Sequence, residues 1–121
     1  MSWLDATSDL LKVARSTLRE RIAPALDAGG RYEAAMLANA LAIAIRELEQ
    51  GSGARAEEQD LLARFYGTSA ATLPDLRRRL CHDLRTGAVM ASRPDELRTL
   101  LHRVVHARLA ISNPDYARTY R

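Results

Sequence analysis

Apolar residues recur along this chain at spacings of three and four positions, the period of an α-helix with one buried face. No β-branched run alternates with polar residues, so the sequence predicts no strand. Five helices are predicted, over approximately Asp5–Leu26, Tyr32–Gln50, Ala54–Tyr66, Pro74–Thr86 and Pro94–Ala110. Because short connections favour antiparallel neighbours, we expect an all-α bundle of about five helices in a single domain over residues 1–121.

Glycines and prolines mark the expected helix ends. A left-handed residue that closes a helix is expected at each of Gly29-Gly30, Gly51, Gly67 and Gly87. Two segments, Thr72-Leu73-Pro74 and Ser92-Arg93-Pro94, place a hydroxyl N-cap ahead of a proline in the first turn, and so predict helix starts. Pro24 removes a backbone donor inside the first predicted helix, which indicates a kink or an early stop there.

The stretch Ala34–Ile45 is the most apolar part of the chain. Eleven of its twelve residues are apolar, and the exception is Asn39. A helix that is apolar on all sides is typically buried on most of them, so we expect this segment to be the central packing element. The same helix carries Tyr32, Asn39 and Arg46 at seven-residue spacing, which places them on one face.

Two interpretations of this polar column remain open. In one, the amide of Asn39 bonds to a neighbouring helix and fixes the packing register, and Arg46 with Glu47 forms a solvated or paired helix end. In the other, Tyr32, Asn39, Arg46 and Glu47 line a binding pocket or an interaction surface. The two interpretations differ in whether the Asn39 amide lies in a closed core or faces a cavity.

The C-terminal segment Leu109–Tyr116 contains a second candidate site. Asn113-Pro114 ends the last predicted helix, because proline disfavours the α conformation in the residue before it. Ile111 and Tyr116, with Tyr120 as a further candidate, are then expected to anchor a short tail that docks on the bundle. Alternatively, Asn113 and Tyr116 form the rim of a binding groove.

Charge is distributed unevenly along the chain. The net charge is +3, but residues 1–60 carry 7 basic and 10 acidic groups, whereas residues 61–121 carry 11 basic and 5 acidic groups. The basic half is either an ordinary solvated surface or a face for phosphates or nucleic acid. Arg77-Arg78-Arg79 fans around a helix rather than forming one stripe, and no aromatic residues interleave with it, so nucleic-acid binding is an alternative hypothesis only.

The one cysteine, Cys81, cannot form an internal disulfide, which fits a cytoplasmic protein. We expect Cys81 at the edge of the core, and helical geometry points it about 100° away from His82, so the two do not form a nucleophile–base pair. Residues 1–9 lack the basic and apolar regions of a signal peptide, and the longest apolar run is too short for a membrane span.

Metal and cofactor chemistry have little support in the sequence. His102 and His106 have the spacing of zinc ligands on one helical face, but Arg103 stands where a zinc protease needs glutamate, and no third ligand is evident. We therefore interpret them as a surface or partly buried histidine pair. No nucleotide-binding loop, nucleophile elbow or carboxylate cluster is present, so the sequence predicts no catalytic residue and no cofactor.

Two segments resemble the signature stretches of a small bacterial all-helical family of unknown function. They are NALAIAIRELEQG at Asn39–Gly51 and LAISNPDY at Leu109–Tyr116, and shorter similarities lie at Leu10–Ala14, Ile22–Leu26, Arg31-Tyr32 and Leu84–Gly87. Genes of that family lie beside acyl-CoA dehydrogenases and phosphotransferases that resemble aminoglycoside or choline kinases. The resemblance implies an accessory role near acyl-CoA or phosphotransfer metabolism, and it transfers no catalytic residue.

Three functional hypotheses follow. The first is a non-catalytic accessory or interaction module, with an acyl-CoA dehydrogenase, a kinase-like phosphotransferase or a second copy of the chain as partner. The second is a binder of, or enzyme for, acyl or phosphorylated small molecules that uses a pocket near Asn39 and Arg46. The third is nucleic-acid binding through the basic C-terminal half.

Overall fold

The computed structural model describes residues 3–120, except for the side chain of Leu4. Met1 and Ser2, which begin the segment considered above for a signal peptide, lie outside the described residues. In chain order the elements are α1 (Trp3–Thr17), a π-helical turn (Leu18–Ile22), a 3₁₀ turn (Ala23–Ala25), α2 (Ala28–Tyr66), α3 (Leu73–Thr86), α4 (Ala88–Ser92), α5 (Pro94–Ser112) and α6 (Pro114–Thr119).

The all-α prediction is confirmed. The described residues, 3–120, are 90% helical and contain no strand. None of the helices in this range combines the length and the apolar character that crossing a bilayer requires. The chain divides into two compact units, Met1–Ser52 (unit 1) and Gly53–Arg121 (unit 2), and each is described by itself below.

The first predicted helix changes character before Pro24. Instead of running on to Leu26, α1 ends at Thr17 and a π-helical turn follows, in which the Ala23 N–H donates to the carbonyl of Leu18. Pro24 has no N–H to donate and its ring obstructs the preceding turn, so a regular α-helix cannot continue through it. The early stop predicted at this proline is confirmed.

The second and third predicted helices are one helix. α2 runs for 39 residues from Ala28 to Tyr66 and includes Gly51, Ser52 and Gly53, which we expected to form a connection. The prediction of helix ends at Gly29-Gly30 is also wrong, because both glycines lie in the first turn of α2. Glycine lowers helix propensity by only about 1 kcal/mol, and tertiary packing outweighs that cost.

The other predicted helix boundaries are largely correct. Gly67 and Gly87 adopt the left-handed conformation, with φ of 64° and 76°, and Gly87 closes α3. Thr72 caps α3 by accepting a hydrogen bond from the Asp75 N–H at 3.3 Å. Ser92 does not cap α5, because its hydroxyl donates to the Ala88 carbonyl of the unpredicted short helix α4 and Arg93 occupies the N-cap position.

Unit 2 is held together by a leucine core. The end of α2 contributes Leu62, α3 contributes Leu76 and Leu80, and α5 contributes Leu97 and Leu100. Aromatic and aliphatic side chains, including Phe65, Tyr66, Val89 and Val104, pack around this cluster. Removing any one of the five leucines is expected to cost several kcal/mol, since the cavity left behind adds to the lost burial.

Partly buried polar contacts connect the helices that surround this core. Glu58 is only 8% exposed and accepts two hydrogen bonds from the Arg77 guanidinium, at 2.7 and 2.6 Å. Arg93 donates to the Phe65 carbonyl at 2.8 Å and stacks over the Phe65 ring. These contacts join the end of α2 to α3 and to the start of α5.

In unit 1, α1 lies antiparallel to the first half of α2. The Ser8 hydroxyl donates to the Glu49 carboxylate at 2.9 Å near one end, and Arg15 Nε donates to the Ala38 carbonyl at 3.0 Å further along. Contacting residue numbers therefore rise in α1 as they fall in α2, which defines a helical hairpin.

The prediction that Ala34–Ile45 is buried on most sides is wrong. Ala34, Ala38 and Ile45 are buried on one stripe, whereas Met36 and Leu37 are more than half exposed. A single antiparallel partner covers only one face of a helix, so the remaining apolar positions of this stretch face solvent. The helical period also places five other residues on the apolar stripes of their predicted helices, where burial is expected, and all five are exposed, namely Leu10, Ile22, Leu26, Leu84 and Val105.

Candidate functional site

Two clefts lie along one side of the unit 1 hairpin. The first has a volume of about 340 Å³ and is lined by Lys12, Arg15, Ser16, Arg19, Glu20, Ala42, Ile45 and Arg46. The second has a volume of about 300 Å³ and is lined by Arg15, Arg19, Ala23, Arg31, Ala34, Ala35, Ala38 and Asn39. Because Arg15 and Arg19 line both, the clefts are neighbours on one surface, which we call the arginine cleft.

The arginine cleft concentrates the positive charge of unit 1. Five of the six basic residues among residues 3–52 line it, whereas Glu20 is its one acidic lining residue. The π-helical turn positions Arg19 and Glu20, and such turns are often found at functional sites. Pro24 follows this turn, and a regular α-helix cannot continue through it because proline has no N–H to donate.

Some of the lining cations have partners within the protein. Arg15 Nε donates to the Ala38 carbonyl, which orients its guanidinium along the hairpin, and Arg31 donates weakly to the Pro24 carbonyl at 3.4 Å. Lys12 pairs with Glu49 at 3.0 Å. Arg19, in contrast, makes no hydrogen bond or ion pair with any residue in the range 3–120. Its guanidinium is the one most available to a ligand.

The Lys12–Glu49 pair modifies both ionisation equilibria. The hydrogen bond from Lys12, and after it the one from Ser8, lowers the pKa of the Glu49 carboxyl. The same hydrogen bond to Glu49 raises the pKa of the Lys12 ammonium. Both groups remain charged at neutral pH, so the adjacent Glu49 carboxylate offsets the positive charge that Lys12 brings to the arginine cleft.

The structure places the predicted column of α2 in and beside this surface. Asn39 is exposed and lines the second part of the cleft, and Arg46 lines the first part. Tyr32 is 68% exposed and is not among the lining residues, and Glu47 is half-buried. Of the two interpretations of Asn39, the cleft is the one that agrees with its position.

Asn113 and Tyr116 lie together in unit 2. Asn113 terminates α5, and its side-chain oxygen accepts a hydrogen bond from the Tyr116 N–H at 3.1 Å, which caps α6. The predicted helix stop is therefore confirmed. Of the three expected anchors, Tyr116 is 54% exposed and is not docked. Ile111 is 2% exposed, and Tyr120 stacks on His102 with ring centroids 4.7 Å apart. The tail thus folds back onto α5 as the short helix α6.

The histidines and the cysteine form no metal site in the part of the chain that is described. No group of three or more potential ligands occurs there. His102 packs against Tyr120, and His106 and His82 are exposed. Cys81, expected at the core edge, is exposed as well, because Leu76 and Leu80 occupy the buried face of α3.

The basic residues of the cleft that the sequence pattern does not single out are Lys12, Arg15, Arg19 and Arg31. Arg15 and Arg19 are four residues apart and so share a helical face, and this spacing immediately before Pro24 is a signal that was available. Their convergence with Asn39 depends on the antiparallel register of α1 and α2, which the sequence pattern does not specify.

A second surface of unit 1 is apolar. We define the apolar face as Trp3, Ala6, Leu10 and Val13 of α1 with Leu37, Ala40 and Ala44 of α2, all of which are exposed. At 100° per residue, these positions lie about 150° around each helix from the residues that line the arginine cleft. The apolar face and the arginine cleft therefore occupy opposite sides of the hairpin.

The fold and these two surfaces define an all-helical protein with a leucine-cored unit and an amphipathic helical hairpin. The chain belongs to the DUF6285 family, a domain of unknown function whose family model matches residues 24–116. This match includes Arg31, Asn39 and Arg46 and leaves α1 outside it. Neither a curated protein nor a solved structure matches the chain.

Proposed function

We propose that this chain is a non-catalytic interaction module that docks through the apolar face of unit 1. The observation that carries the proposal is the exposure of large apolar side chains on one side of the hairpin: 74% for Trp3, 69% for Leu10, 63% for Val13 and 53% for Leu37. Soluble monomers rarely expose a contiguous apolar surface of this kind without a partner.

The available area agrees with a specific interface. The four large side chains of the apolar face are each more than half exposed and lie beside three exposed alanines, and a standard interface buries about 800 Å² on each partner. Tryptophan is enriched among the residues that contribute most to binding, so Trp3 is expected to be an anchor. Trp3 lies at the N-terminal end of α1, outside the segment between Ser8 and Arg15 whose hydrogen bonds hold α1 to α2.

A second copy of the chain is the occupant that we propose. Trp3, Ala6, Leu10 and Val13 follow the alternating three- and four-residue spacing of helices that pack in bundles. Two hairpins that join through this stripe would form a four-helix bundle. None of the seven residues that define the face is charged, and the nearest acidic residue on the same stripe of α2, Glu33, lies one turn before Leu37 at the edge of the face.

The resemblance adds two protein partners to the proposal. An acyl-CoA dehydrogenase or a kinase-like phosphotransferase would use the same apolar face, in an accessory role within the cytoplasm.

The basic residues of unit 2 give less support to nucleic-acid binding, because Arg77 pairs with Glu58 and Arg78 with Asp75, and Arg79 stacks over the ring of Tyr66.

Sedimentation equilibrium of a matched pair of variants tests the proposal. Val13→Asp places a charge on the apolar face, and the control Val105→Asp makes the same change at an exposed valine of α5 in unit 2. We expect the wild type and Val105→Asp to be dimers at micromolar concentration and Val13→Asp to be a monomer with unchanged helical circular dichroism. A dimer that survives Val13→Asp would overturn the proposed face.

The partner proteins provide the second arm of the test. If the wild type is monomeric up to about 100 μM, co-purification with the dehydrogenase or the phosphotransferase, abolished by Val13→Asp, would reassign the face to that partner. A monomer that captures neither protein would contradict the interaction module itself.

A further inference from the structure

We propose that the arginine cleft binds a small organic phosphate. The cleft lies on the side of the hairpin opposite the apolar face, so this binding site is independent of the docking proposed above. Its chemistry is that of a phosphate site: Arg15, Arg19 and Arg31 offer planar guanidinium donors, which suit the paired oxygens of a phosphate group.

The arginines are placed to act together. Arg15 and Arg19 are one helical turn apart, which brings neighbouring residues of a helix face within about 6 Å of each other. Arg15 is held in place by its bond to the Ala38 carbonyl, whereas Arg19 has no partner among the described residues. A phosphate between them would meet one preorganised guanidinium and one that is free to adjust.

The rest of the lining indicates an organic ligand rather than a bare ion. Ala23, Ala34, Ala35 and Ala38 form a small-residue wall beside the arginines, and Asn39 adds an amide that donates and accepts hydrogen bonds. Two volumes of about 300 and 340 Å³ lie at the lower end of the range for small-molecule sites. A phosphate ester with a compact carbon skeleton fits this combination.

Charge within the hairpin favours a small ligand over a nucleic acid. Residues 3–52 contain six basic and seven acidic groups, so unit 1 offers no extended positive surface for a polyanion. All of these basic residues except Arg21 line the cleft, and the lining includes no aromatic side chain on which a base would stack.

Isothermal titration at low salt, with pyrophosphate as the probe, tests this site in the full-length chain. Arg19→Gln removes a cleft cation without removing an internal contact, and the control Arg21→Gln makes the same change in the same π-helical turn at a residue outside the cleft. We expect the wild type to bind pyrophosphate, Arg19→Gln to weaken binding about tenfold, and Arg21→Gln to bind like the wild type.

Three results would overturn the proposal. They are no pyrophosphate binding at about 10 mM ligand, equal weakening by Arg19→Gln and Arg21→Gln, and tighter binding of a short single-stranded oligonucleotide than of pyrophosphate. The second result would mark the binding as general charge attraction, and the third would assign the cations to nucleic acid.

Discussion

Tyr66 illustrates how single polar side chains stabilise unit 2. Its hydroxyl donates to the Asp83 carboxylate at 2.8 Å, and the Arg79 guanidinium lies 4.1 Å from the ring centroid. Burial, followed by the bond to Asp83, raises the pKa of Tyr66 to about 12. The folded state therefore favours the protonated phenol more strongly than the unfolded state does.

Removing the Tyr66 hydroxyl is expected to destabilise the protein in a pH-dependent way. Tyr66→Phe should lower the free energy of unfolding by about 1.5 kcal/mol at pH 8, because a hydrogen bond to a charged acceptor is lost. This contribution is complete below the unfolded pKa of about 10 and disappears as the pH rises through about 12. Urea denaturation of both proteins across that range measures the effect.

Tyr32→Phe is the matched control, since Tyr32 is 68% exposed. It should leave the free energy of unfolding nearly unchanged. A Tyr66→Phe variant as stable as Tyr32→Phe at pH 8 would contradict the role assigned to the Tyr66–Asp83 bond.

The residues of the candidate site were only partly predictable. The seven-residue spacing identified Asn39 and Arg46 as positions on one helical face, and both line the arginine cleft. Arg15 and Arg19 belong to a different helix, and their approach to Asn39 requires the antiparallel register of the hairpin. Helical period alone contains no information on that register, which is why the two arginines were missed.

Among the elements, α2 departs most from the sequence-based expectation. The sequence predicts that Gly51 ends a helix and that Gly53 lies in the connection after it, yet the helix is continuous through both from Ala28 to Tyr66. At Gly67 and Gly87 the same reasoning was correct, because the backbone there has positive φ. Glycine allows a helix to end, but the packing of the flanking residues determines whether the helix ends there.

Alanine substitution at two glycines tests the continuity of α2. A Cβ at Gly53 would meet nothing within 4 Å, and alanine has the higher helix propensity, so Gly53→Ala should stabilise the protein by about 1 kcal/mol. Gly87→Ala should destabilise it by about 1 kcal/mol, because φ is +76°. Urea denaturation midpoints compare the two. A Gly53→Ala variant that is destabilised like Gly87→Ala would indicate a helix break at Gly53.

For the whole molecule, composition and periodicity were enough to predict an all-α protein, but not which apolar residues are buried. Leu10 follows the helical period as closely as Leu62 does, and yet Leu10 is 69% exposed whereas Leu62 is 1% exposed. The number of helices that pack against a given face determines that difference. In unit 1 one partner helix is present, which leaves the apolar face exposed.

The fluorescence emission of Trp3 tests directly whether two copies associate through the apolar face. Trp3 is the only tryptophan in the sequence, and it lies on that face. If two copies associate through this face, the indole leaves water as the protein concentration rises from nanomolar to about 100 μM. We predict a blue shift of the Trp3 emission over that range in the wild type and none in Val13→Asp. Emission typical of a water-exposed indole at every concentration, in both proteins, would contradict the account.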